Sequence, residues 1–203
     1  MHYGIEHVWG HHVYACTPED PHTAKIGEPL YFYLFRAVKG TYKNAWEIDA
    51  KKTNRVSRKF SIMRGRMLLF GILQVALMLT IYFSLGSNSL LFFLLQNIVS
   101  IALLHIINYL QHYGLLRKIN TGSYERLGAR HAWNTGRYNR LINVFQLESH
   151  ADHHMHPSRP FDKLSQYEDS PTHPAGYSFM ILLSLVPPLW FKVMNKRINS
   201  VKV

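Results

Sequence analysis

The chain has 203 residues, 47% of them apolar, a formal net charge of +11 and a single cysteine. That length suits one domain with its own core, residues 1–203; one cysteine excludes an intrachain disulfide and argues against a thiolate zinc site or a cysteine-held iron–sulfur cluster. The charge leaves nucleic acid, anionic lipid and an acidic protein open as partners.

The opening MHYGIEHVWGHH has neither the basic nor the apolar region of a cleaved leader, so none is expected. It places His7, His11 and His12 at i, i+4 and i+5, roughly one face of a helix. Next comes ACTPEDPHTAKIGEP, where Pro18, Pro21, Gly27 and Pro29 predict a structured loop. Asp20 and Glu19 lie close enough to His12 to hydrogen-bond a ligand imidazole and fix its tautomer; a turn-forming acidic pair before proline is the plainer alternative. The aromatic run Tyr31, Phe32, Tyr33 and Phe35 suits membrane-interface or core packing better than base stacking.

From Lys51 to Arg66 seven positive charges accumulate: Lys51, Lys52, Arg55, Arg58, Lys59, Arg64 and Arg66. Two long apolar runs directly after them argue against nucleic acid as their partner. Met67–Leu85 is nineteen residues without a charge, and after the turn GSNS (Gly86–Ser89) the segment Leu90–Leu110 is also uncharged at neutral histidine. Each is long enough for a hydrocarbon core of about 30 Å, so an all-α membrane protein with a two-span hairpin over about 67–110 is expected; a buried soluble hairpin is the alternative. Arg117, Lys118, Arg126 and Arg130 come after the hairpin and the connecting turn has no charge, so the positive-inside rule puts both ends in the cytoplasm. The histidine-bearing regions, about 1–30 and 112–175, then share one side of the membrane.

Asn97, His105, Asn108 and His112 fall on or near one face of the second span, where polar groups face a cavity, a partner or a metal. His112, at the end of the span, is the better ligand candidate; an interhelical hydrogen bond suits His105. The segment TGSYERLGARHAWNTGRYNRLINVFQ reads as a loop and then an amphipathic helix, with His131, Trp133 and Asn134 packing or hydrogen-bonding beneath a site. It leads to LESHADHHMHP, where His150, His153 and His154 at i, i+3 and i+4 stack on one helical face. Two same-face clusters of imidazoles suggest a shared metal site, iron, copper, zinc and nickel all being suited to such donors, with an abundance of surface histidine as the alternative. His156 and His173 are expected in surface loops. The run GYSFMILLSLVPPLW, broken by Pro187 and Pro188, is too short to span and is placed at the membrane interface.

In this order and spacing, EHVWGHH with TPEDP, NYLQHYGL and LESHADHHMHP resemble the integral-membrane alkane hydroxylases, related to xylene monooxygenases and more distantly to fatty acyl desaturases. The resemblance covers nearly the whole chain. It implies a di-iron hydroxylase of alkanes or related hydrocarbons that uses dioxygen and a rubredoxin-type electron donor, sits in a bacterial inner membrane among lipid, and keeps its histidine boxes cytoplasmic. It makes His7, His11, His12, His112, His150, His153 and His154 iron ligands, with Asp20, Asp152, Gln111 and Asn108 supporting them. Departures accompany it. Gln111 stands where relatives usually carry Glu, and His105 where several carry an acid, which would weaken carboxylate support of the imidazoles. An HExxH box belonging upstream is not in the sequence, so the chain is expected to be the C-terminal portion of a longer hydroxylase. Two other classes stay open: a non-catalytic remnant, and a basic lipid-binding membrane anchor.

Overall fold

The computed structural model describes residues 2–56, 65–135 and 148–201, without the side chains of 54–56. Arg58, Lys59 and Arg64 of the basic run lie outside the described residues, as do residues 136–147, on which the amphipathic helix expected before the last histidine cluster falls. The architecture is helical: α1 (His2–Glu6), a π-helical turn (His7–His11), α2 (His12–Tyr14), α3 (Leu30–Val56), α4 (Arg66–Leu85), α5 (Ser87–His112), α6 (His150–Met155), α7 (Tyr177–Ser184) and α8 (Pro187–Ser200). A two-residue hairpin pairs β1 (Ile119–Asn120) with β2 (Ser123–Tyr124). The chain divides into two compact units, Met1–Val13 with Val38–Leu104, and Tyr14–Ala37 with His105–Val203.

In the first unit, Ile5, Ala45 and Met67 form a small core with Trp46, Ile48 and Phe70. The N-cap residue of α4 is Gly65, which has no side chain to offer, and the buried Asp49 of α3 accepts the Met67 N–H at 2.8 Å instead. A carboxylate at a helix N-terminus also suits the macrodipole. Beyond that anchor α4 turns apolar side chains outward: Ile72, Val75 and Leu79 are each at least half exposed. Both α4, of 20 residues with mean hydropathy 2.1, and α5, of 26 residues with mean hydropathy 2.3, are long and apolar enough to cross a membrane. Their most apolar windows are 0% and 11% buried, which a water-soluble core helix would not tolerate. The expected four-residue turn between them is shorter. Gly86 alone, at φ 85°, separates the helices, because Ser87–Ser89 already continue as α5.

The second unit holds the larger core. Tyr109 packs its ring against Tyr33, Trp190 and Tyr113 at centroid distances of 5.1–5.2 Å, and Leu30, Leu110, Trp133, Met180 and Met194 close around them. The proline-rich loop expected after the first histidine cluster is present, with residues 15–17, 20 and 22–24 buried. Tyr109 Oη donates to the Glu28 carbonyl at 2.7 Å, the Gly27 N–H donates to Tyr113 Oη at 2.8 Å, and Gly114 N–H to the Ala24 carbonyl at 2.8 Å. Arg36 spans the loop, donating to both Glu28 carboxylate oxygens and to the carbonyls of Pro21 and Thr23. Burial resists ionisation of Glu28, but the Arg36 guanidinium outweighs it and holds the carboxyl below its usual range. A depressed acid stabilises the fold above its unfolded pKa of about 4.3, and that stability is lost as pH falls through the folded value. Acid unfolding monitored by tryptophan fluorescence should therefore shift less with pH below about 4 in Glu28→Gln than in the wild type.

Candidate metal centre

The last turn of α5 and the short helix α6 bring three imidazoles of the second unit together. His112 Nε2 lies 3.0 Å from His150 Nε2 and 3.2 Å from His154 Nε2, and His150 and His154 Nε2 are 2.9 Å apart. All three side chains are buried. The i, i+4 relation places His150 and His154 on one face of α6, as the spacing predicts. His153 sits on the same helix, half-buried, with its ring centroid 5.7 Å from that of His150. Burial lowers its pKa against the opposing pull of Asp152, so it presents a neutral ring.

Six residues make a helix too short to persist alone, and α6 is braced from outside. The Ala151 N–H donates to Asn134 Oδ1 at 3.3 Å, a remote cap in place of Ser149, whose side chain makes no capping bond. Asp152 is tied to a different segment. Its carboxylate accepts Arg159 at 2.6 Å, the Ser165 N–H at 2.8 Å and Tyr167 Oη at 2.8 Å, and contacts the exposed His156 ring at 2.7 Å. These bonds outweigh burial and keep the acid below its usual range. All four of these groups belong to the 156–167 loop, and Asp152 positions the ligand helix through that loop.

Around His112, the Gln111 carbonyl accepts the Trp133 N–H at 2.9 Å, and Gln111 Nε2 donates to Tyr177 Oη at 3.1 Å. Asn108 is buried one turn earlier on α5. Asp20 accepts the His22 N–H at 2.9 Å and the Thr23 hydroxyl at 3.1 Å, shaping its loop. Glu19 is exposed and accepts Tyr124 Oη at 2.9 Å. His105 stacks on His22 at 5.3 Å, with an interplanar angle of 19°.

In the first unit His7, His11 and His12 also cluster, with His7 Nε2 3.2 Å from His12 Nε2 and ring centroids 4.6–6.0 Å apart. The π-helical turn explains why residues five apart meet: its i→i+5 bonds align His7 with His12, where an α-helix would splay them. Gly10 permits the close approach of its neighbours, since a Cβ there would lie 2.9 Å from Glu6 Oε1 and 3.2 Å from Ile48 Cδ1.

One expectation is corrected. His173 is no surface loop residue: it is buried, stacked on Trp133 at 5.3 Å, and donates from Nε2 to the Leu110 carbonyl at 3.1 Å. Burial pushes its pKa down to about 3, so the ring is a neutral strut between the 171–174 segment and α5. His156 is exposed, as expected. Sequence reasoning also passed over Cys16, a polar residue in a segment without periodicity, whose Sγ lies 3.5 Å from His112 Nδ1.

The donor set fits a metal ion. Three imidazole Nε2 atoms within 3.2 Å of one another are close enough to ligate a single ion. Metal–imidazole bonds are about 2.1 Å long, so nitrogens spaced 2.9–3.2 Å apart could all reach one ion.

Comparison with known proteins agrees with the site. The family model for fatty acid desaturases matches residues 1–181, and the chain belongs to that family. Among its relatives are the alkane 1-monooxygenase of Acinetobacter baylyi, 38% identical over 97% of this chain and 48% of that protein, and alkane 1-monooxygenase 1 of Pseudomonas aeruginosa, 38% identical over 97% and 52%. The xylene/toluene monooxygenase hydroxylase component XylM of Pseudomonas putida is 29% identical over 95% of this chain and 51% of that protein. The chain spans about half the length of these curated relatives.

Proposed function

We propose that the chain is the histidine-box part of a membrane-bound hydrocarbon monooxygenase, a single desaturase-like domain that inserts a hydroxyl into an alkane or related C–H bond. The balance is one hydrocarbon, one dioxygen, two electrons and two protons giving one alcohol and one water. The observation that carries this reading is the buried trio His112, His150 and His154, with its 2.9–3.2 Å spacing, in a chain whose relatives are named as alkane monooxygenases. Iron is the metal this reading assigns. His7, His11, His12 and His153 are proposed as further ligands, enough with the trio for two ions, and Asp20, Asp152, Gln111 and Asn108 as the groups that orient them.

Bound iron would supply the reduction of dioxygen that side chains cannot perform. The chain's own residues do the rest. Neutral imidazoles present Nε2 lone pairs, Asp152 and Asn134 hold α6 in place, and the aromatic core around Tyr109 and Trp133 excludes water from the ligands' outer side. The apolar α4 and α5 are proposed to form a two-span hairpin whose lipid surroundings deliver the hydrocarbon. Lys51 and Lys52 before it and Arg117, Lys118, Arg126 and Arg130 after it favour a cytoplasmic position for the histidine-bearing ends in a bacterial inner membrane. The same charge suits an acidic rubredoxin-type donor.

Metal analysis of the full chain purified in detergent tests the reading. Bound iron is the expected result, and a chain that takes up none from ferrous solution overturns it. Supplying the loaded chain with a linear alkane, dioxygen and a reduced rubredoxin-type donor then reads hydroxylation. Iron without alcohol would confine the function to metal binding.

A further inference from the structure

The geometry points to Cys16 and the segment Glu125–His131 as the device that fixes the tautomer of His112, holding the proton on Nδ1 so that Nε2 faces His150 and His154 with its lone pair. The inference deepens the proposed metal-binding role, and its first test does not require a metal.

The hydrogen bonds leave one assignment. Cys16 Sγ lies 2.8 Å from the His131 carbonyl oxygen, which can only accept, so the thiol hydrogen is directed there. The same sulfur lies 3.5 Å from His112 Nδ1. With its hydrogen engaged, sulfur can meet that nitrogen only as an acceptor, and Nδ1 therefore carries the hydrogen. A neutral imidazole has one N–H, so Nε2 is the lone-pair nitrogen. It is also the atom 3.0 Å from His150 and 3.2 Å from His154.

The His131 carbonyl is itself held in place. Its ring accepts the Gly128 N–H at Nδ1, 2.9 Å away, and donates from Nε2 to Glu125 Oε1 at 3.1 Å, while Glu125 Oε1 also accepts the Lys118 N–H at 2.8 Å. Two residues on, the Trp133 N–H is bound to the Gln111 carbonyl. The carbonyl that orients the thiol thus rests on the segment leading out of α5. Cys16 is placed from its own side too: its backbone is in the left-handed region at φ 58°, which a side chain adopts only at a cost, and the Arg117 N–H donates to its carbonyl at 2.7 Å. Groups that fix a ligand imidazole's tautomer raise its basicity, and losing one costs about 10–100-fold in metal affinity. Cys16 and His131 are positioning residues, since neither sulfur nor carbonyl belongs to the trio.

Nitrogen NMR of ¹⁵N-histidine-labelled full chain in detergent, before any metal is added, tests this, with the His112 resonances assigned by their loss in His112→Gln. The wild type is expected to show His112 protonated at Nδ1. Cys16→Ala should lose that preference and, on cobalt(II) titration, bind about 10–100-fold more weakly with a displaced ligand-field spectrum. Cys16→Ser keeps an acceptor for Nδ1 and a donor for the His131 carbonyl, and should return to within a few-fold of the wild type. If His112 carries its proton on Nε2 in the wild type, the inference fails. It also fails if Cys16→Ala leaves tautomer and affinity unchanged, or if Cys16→Ser is as impaired as Cys16→Ala. Should Cys16→Ala not fold, the wild-type tautomer and the serine variant decide. A wild type that shows the Nδ1 proton but binds no cobalt counts against the metal-binding role and leaves the tautomer assignment standing.

Discussion

Replacing His154 by alanine is expected to remove the metal bound at the trio, with affinity falling by more than about 100-fold. Changing a group that merely supports a ligand costs about 10–100-fold, so deleting one of three converging donors must exceed that. His154 Nε2 closes the triangle with His112 and His150 at 3.2 and 2.9 Å, and its loss leaves two donors where an ion needs at least three. His156→Ala is the matched comparison: it removes only the exposed contact of Asp152 and leaves its bonds to Arg159, Ser165 and Tyr167, so it should stay within a few-fold of the wild type. Metal stoichiometry by elemental analysis after dialysis reads both. Wild-type iron retained in His154→Ala would remove this residue from the ligand set.

The largest stability effect is expected at Gly114, two residues past His112. Its φ of +72° lies in the left-handed region, and an added Cβ would collide with the Ile198 side chain and come within 2.9 Å of Ile26 Cγ1. The left-handed conformation costs a side chain about 1–2 kcal/mol, and overpacking a filled core about 1–3 kcal/mol. Gly114→Ala should therefore destabilise the protein by roughly 2–5 kcal/mol in denaturant unfolding. Gly122 separates the two causes: it also has a positive φ, +83°, but nothing lies within 4 Å of its missing Cβ. Gly122→Ala should show the conformational cost alone, about 1–2 kcal/mol. Equal losses at the two positions would show that Ile198 and Ile26 give way freely.

Much of the site was legible in the chain because its spacing is periodic. The i, i+4 relation of His150 and His154 survives on α6, and the uncharged runs that became α4 and α5 were plain from composition. Where a role depends on distant partners the sequence was silent. His173, between Thr172 and Pro174, reads locally as a loop residue, yet its N–H pairs with the Asn134 carbonyl and its ring with Trp133, about forty positions away. Cys16 has no periodic neighbours at all, and its contacts at His112 and His131 are about a hundred residues off. The π-helical turn was hidden for another reason: i, i+4 and i+5 read as roughly one helical face, but at 3.6 residues per turn His7 and His12 diverge, and they meet only once the backbone is wound wider. Gly86 shows the reverse error, polar residues read as a turn although Ser87–Ser89 already belong to a helix.

Asp152 also bears on how the proposed centre would be filled. One carboxylate fastens the helix that carries His150 and His154 to Arg159, Ser165 and Tyr167, so contacts within the polypeptide order it. An ion bound there would then put its binding free energy into affinity instead of ordering its ligands.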